Sequence, residues 1–157
     1  MISKINIIKF NTSFKNNTEY GNPKIKGTPF FIFSEFKKSD KIFFGTYNNL
    51  KFEITKNATF FPTPFIISGE IKSKNNNQTE IYYDLKPIKF EYYWLKYIPL
   101  FGVAIFNLIF YLKTSPIEIV IIINYILLCI VILSNYYLWR KKNIFLKDFK
   151  IFFEIVT

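Results

Sequence analysis

Histidine is missing from the 157 residues, and cysteine occurs once, at Cys129. Those two shortages exclude an internal disulfide, a Cys/His zinc site and a Ser-His or Cys-His nucleophile. Arginine is nearly as scarce: of 21 basic residues only Arg140 is not Lys. Specific base readout favours the bidentate guanidinium, so no specific nucleic-acid surface is expected. The five glycines stand apart from one another, which leaves neither a phosphate-binding loop nor a dinucleotide fingerprint. Carboxylates are few, and Glu53/Glu70 and Glu80/Asp84 alternate with Lys along polar strand faces. A solvated sheet face explains them better than acid–base chemistry. The expectation is therefore no enzyme, no metal and no cofactor.

What the chain does contain is Lys, Asn, Ile, Phe and Tyr, the set that AT-rich coding favours. Apolar residues make up 50% of it and concentrate between positions 93 and 139. Net charge is +6 over residues 1–92, +1 over 93–139 and +3 over 140–157. Tyr93–Leu112 and Ile117–Trp139 hold 20 and 23 residues. At about 1.5 Å per residue each is long enough for a hydrocarbon core of roughly 30 Å. Trp94, Tyr97, Tyr136, Tyr137 and Trp139 cluster at one interface as an aromatic belt, with Tyr111 at the other. Lys96 lies a turn inside, near enough to snorkel to the head groups. With Trp94 and Trp139, it joins Arg140, Lys141 and Lys142 as the interface anchors.

Orientation follows from the flanks. The terminal side carries Lys86, Lys89, Arg140, Lys141, Lys142 and Lys147, whereas the loop Lys113-Thr114-Ser115-Pro116 holds one Lys. Positive charge stays inside, so both termini are expected in the cytoplasm. MISKINIIKF is too short and too interrupted by Lys for a signal peptide, which leaves insertion to the hairpin. Ser115 fits an N-cap, Pro116 the first helical position and Glu118 the third, a capping box. Asn107 and Asn124 fall at similar depth, and an amide facing lipid is costly, so a bond between them across the hairpin is expected. Cys129, mid-run, reads as a small apolar residue.

Outside the hairpin the pattern is that of strands. Residues 3–10 fit a first strand, 11–27 a polar loop and 29–36 a strand or short helix. Lys41–Tyr47 is a strand, Asn48-Asn49 a turn, and residues 50–56, 65–73 and 79–86 alternate apolar and polar. Lys74–Gln78 reads as a polar hairpin connection. Phe60-Phe61-Pro62-Thr63-Pro64 cannot continue a ladder, because two prolines lack donors. That loop is either tucked into the core or exposed, with Phe60, Phe61 and Phe65 as a partner patch. Near the C-terminus Phe145, Phe149, Phe152, Phe153 and Val156 form a helical stripe suited to covering the sheet.

The run Phe44-Gly45, Phe52-Glu53-Ile54, Phe61-Pro62-Thr63-Pro64-Phe65, Gly69-Glu70-Ile71 and Gln78-Thr79-Glu80-Ile81 resembles a group of uncharacterised bacterial two-pass membrane proteins. The resemblance spans about residues 42–140, without the basic and His residues of that group around the Pro and in the last strand. It implies a bacterial inner-membrane protein of unassigned function and brings no catalytic residues.

The expected fold is an α+β membrane protein. Residues 1–92 form a small antiparallel sheet of four or five strands, 93–139 a transmembrane helical hairpin, and 140–157 a cytoplasmic amphipathic helix on the sheet. The expected function is a membrane-anchored cytoplasmic binding or scaffolding module, in one version pleckstrin-homology-like. Its partners would be the bilayer with its anionic head groups and a protein partner or a second copy. The alternative is an oligomeric transport or membrane-assembly component, because two helices alone cannot enclose a pathway.

Overall fold

The computed structural model describes residues 1–24, 40–48, 50–57, 63–75, 78–113 and 116–156. The segment 29–36, Asn49, Phe60, Phe61 and Ser115 lie outside the described residues, together with the expectations placed on them. In chain order the elements are β1 (Ile2–Ser3), α1 (Ile7–Asn17), β2 (Thr18–Tyr20), β3 (Phe43–Tyr47) and β4 (Lys51–Lys56). They are followed by β5 (Phe65–Asn75), β6 (Gln78–Pro87), α2 (Lys89–Lys113), α3 (Ile117–Phe152) and β7 (Ile155–Val156). The fold is α+β: a seven-stranded mixed sheet among the described residues and two long apolar helices.

The sheet runs β2-β3-β4-β5-β6-β1-β7, larger than the four or five strands expected. The β3–β6 meander is antiparallel, and β2 joins β3 in parallel. The extra strands are only two or three residues long, too short for a period-2 pattern to be visible. Asn48 closes the β3–β4 turn with its side chain, Oδ1 accepting from the Leu50 and Lys51 amides at 3.0 and 2.6 Å. The β5 and β6 strands extend to Asn75 and from Gln78, leaving a shorter connection than Lys74–Gln78.

The N-terminal expectation is overturned. Residues 7–17 are helix, neither strand nor polar loop. Asn6 caps it, Oδ1 accepting from the Lys9 amide at 2.8 Å. Its Asn, Ser, Thr and Lys residues have modest helix propensity, so local preference alone would not build this helix. Phe10 and Phe14, one turn apart, decide it by burying completely against the sheet.

The second correction concerns the C-terminal helix. It is the end of α3, a single helix of 36 residues, about 54 Å long. No Pro or Gly interrupts residues 117–152, so nothing stops the helix at Trp139. Phe145 and Phe149 are fully buried under the sheet, whereas Phe152 is 37% exposed and Val156 has left the stripe for β7. Phe153 caps the helix and lies centrally, its ring 4.8 Å from Phe10, 4.9 Å from Phe14 and 5.2 Å from Phe149. Glu154 then reverses the chain with φ at 46°, a left-handed conformation uncommon outside glycine. Burying each ring contributes roughly 1.5–3 kcal/mol.

One sheet face carries Phe43, Phe52, Ile54, Ile67, Ile71 and Ile81 inward to α1 and α3, all at most 2% exposed. Gly69 lies among them because a Cβ there would approach the Phe52 ring to 2.7 Å. Ile2 pairs with Val156, so both ends of the described chain lie together in the sheet.

Candidate functional site

The junction between sheet and long helices is tight. Only Ile88, buried, separates β6 from α2, and its amide donates to the Pro64 carbonyl at 3.0 Å. Tyr92 on the first turn of α2 packs edge-on to Phe65 at 5.7 Å. On α3, Leu138 is buried, and Asp148 forms an ion pair with Lys56 of β4. Both helices are therefore rooted in the core without a linker.

Beyond that root the burial pattern changes. No residue of α2 from 89 to 113 is buried, and residues 117–137 of α3 are likewise unburied. Exposed side chains include Phe101 at 65%, Leu112 at 71% and Leu133 at 64%. The Asn107 and Asn124 amides turn toward each other. Asn107 Nδ2 donates to Asn124 Oδ1 at 2.7 Å, and Asn124 Nδ2 returns a bond to Asn107 Oδ1 at 2.8 Å. Asn107 also donates to the Val103 carbonyl at 2.8 Å.

A second tie was missed in the sequence. Pro99 sits inside α2 and has no N–H for the carbonyl four residues back, at Leu95. The Ser134 hydroxyl of α3 donates to that Leu95 carbonyl. A proline in an apolar helix is itself the signal that a nearby Ser or Thr can supply the missing donor.

The expected anchors fall where helices meet sheet. Trp94 and Trp139 are exposed, stacked on Phe90 at 5.8 Å and near Tyr136 at 5.9 Å. The Lys96 ammonium lies over the Tyr92 and Tyr97 rings at 5.5 and 5.4 Å. Lys141 lies over Tyr137 at 5.3 Å and interacts electrostatically with Glu91. Arg140 and Lys142 are exposed. One Glu91 oxygen, Oε2, is buried with no hydrogen-bond partner among the described residues.

Two expectations shift. The helix α3 begins at Ile117 with Pro116 as its cap, so Pro116 is one position earlier than the capping box requires, and no side chain among the described residues caps it. Glu118 remains in the first turn, where a negative charge suits the helix N-terminus. Phe65 is only 5% exposed and cannot form a contact patch. Free Cys129 is partly exposed on α3.

The sheet's outer face is polar and charge-balanced. It holds an open cleft of about 440 Å³, with Lys51 paired to Glu70 at 3.0 Å and Lys86 to Asp84 at 3.6 Å. The hydrogen bond from Lys51 holds the Glu70 carboxyl below its ordinary pKa. Among the described residues no three His, Cys, Asp or Glu side chains group as a metal site.

No protein-family model, curated protein or solved structure matches the chain.

Proposed function

We propose that the chain is a two-pass protein of the bacterial inner membrane, holding a cytoplasmic binding or scaffolding domain rigidly against the bilayer. The observation that carries this reading is the junction: both unburied apolar helices continue into the sheet's core without a flexible segment. A surface of that size and apolarity needs lipid or another partner to cover it. Rooting α2 after β6 and α3 beneath the sheet fixes the domain's tilt, which a flexible tether would not do. The covering of the sheet by α3 also supports the pleckstrin-homology-like version. The face left for a protein partner is the outer one, with its Lys51–Glu70 and Lys86–Asp84 pairs.

The oligomeric transport reading is less well supported. A pathway between copies needs polar side chains facing a neighbour, and Asn107 and Asn124 face each other within one hairpin.

Alkaline carbonate extraction tests the anchor: the chain should stay in the membrane pellet, and release into the supernatant would end the reading. In a Cys129→Ser background, Thr114→Cys should react with an impermeant maleimide from outside the cell, and Lys147→Cys only after permeabilisation. The opposite labelling would reverse the orientation.

A further inference from the structure

We propose that the crevice at the root of the two helices binds the head group of one anionic phospholipid. This rests on the membrane reading above and gives it a specific lipid partner. The crevice has a volume of about 320 Å³ and is bounded by the sheet end at Phe65 and Pro87, by Tyr92 and Lys96 of α2, and by α3. From α3 come Trp139, Lys142 and Asn135. Among the described residues no carboxylate lines it.

Charge at the junction is sorted. Asp148 pairs with Lys56, and the Glu91 carboxyl lies within electrostatic reach of Lys141. Neither Lys96 nor Lys142 forms an ion pair among the described residues. The Lys96 ammonium is instead held over two tyrosine rings, which orient a cation without neutralising it. Two unmatched lysines in one crevice suit a phosphodiester, for which Lys acts as a point charge.

The walls favour a lipid over a free phosphate. The crevice reaches from Pro87 along both helices to Lys96 and Asn135, a turn into each apolar stretch. Trp139, Tyr92 and Leu138 give it apolar sides that a small soluble anion would leave unfilled. Asn135 donates its amide N–H to the Val131 carbonyl at 2.9 Å, leaving its side-chain oxygen to accept from a hydroxyl-bearing head group such as glycerol.

The test uses native mass spectrometry of the full chain released from nanodiscs containing equal phosphatidylglycerol and phosphatidylcholine. One phosphatidylglycerol should stay bound per chain in preference to phosphatidylcholine. Lys96→Gln with Lys142→Gln should weaken that preference about thirtyfold. Lys4→Gln with Lys9→Gln removes the same charge outside the crevice and should leave it intact. Equal loss in both pairs, or no preference in the unmodified chain, would overturn the proposal. Saturating glycerol phosphate should fail to displace the lipid; displacement would make this a soluble-phosphate site and overturn it as well. Carbonate extraction of the Lys96/Lys142 variant separates the two readings, since that variant should remain in the membrane. Quenching of tryptophan fluorescence by brominated phosphatidylglycerol, weaker in the single Lys142→Gln variant, provides a readout with one conservative change.

Discussion

The two ends of α3 obey opposite rules. At the C-terminal end the Phe145 and Phe149 rings are hidden under the sheet and Lys147 is exposed. Between Ile117 and Tyr137 the apolar side chains face outward, and Asn124 and Ser134 bond inward to α2. One continuous helix crosses from the first regime to the second near Leu138. Large apolar residues occur in both halves, while every charged residue of the helix except Glu118 follows Trp139; on the proposed membrane reading the two halves also differ in what surrounds them. Water pushes rings into a core, whereas lipid leaves them outside and makes an unpaired polar group the costly element.

That contrast can be broken most forcefully in the core. Phe149→Ala should lower stability by about 3–5 kcal/mol, because the ring is fully buried against Phe52, Tyr83 and Phe153. Leu128→Ala, of similar apolar character but 55% exposed, should change it by about 0.5 kcal/mol or less. Denaturant unfolding in mild detergent compares the pair directly.

A smaller effect is expected at the amides. Asn107→Leu or Asn124→Leu alone should cost roughly 0.6–1.7 kcal/mol, and the double replacement less than the two singles combined. Additive losses in the double-mutant cycle would mean that the two amides do not act on each other. Ser134→Ala should cost about 1 kcal/mol for the bond to Leu95. In a Pro99→Ala background the backbone regains its own donor, so the same Ser134→Ala change should then cost little. An undiminished loss would detach Ser134 from the proline.

The smallest change is a gain. Glu154→Gly relieves a left-handed residue at the end of α3 and should raise the thermal midpoint, by about 1 kcal/mol or less in stability. A lower midpoint would show that the Glu154 side chain contributes more than its backbone strain.

How far these regions could be read in advance also differs. The strands β3 to β6 were legible because one wet face and one dry face impose alternation on residues 50–56, 65–73 and 79–86. The helix α1 was not, because polar Asn, Ser and Thr residues mask the two rings that hold it down. The unbroken α3 was visible in principle, since residues 117–152 contain no breaker. The change from apolar to basic at Arg140 suggested an end where the helix in fact continues to Phe152. The junction crevice drew on residues distant in sequence, from Phe65 to Lys142, which periodicity cannot bring together. The Ser134–Leu95 bond was legible only by asking which carbonyl Pro99 leaves without a donor.

The most direct test is a spin-label scan along α3 with the full chain reconstituted in bilayers. Labels at Ile121, Leu128 and Ile132 should collide with dissolved oxygen and be shielded from a water-soluble nickel complex, while a label at Phe149 should be shielded from both. Nickel collisions along residues 121–132 would place that half of α3 in water and contradict the inversion on which the account rests.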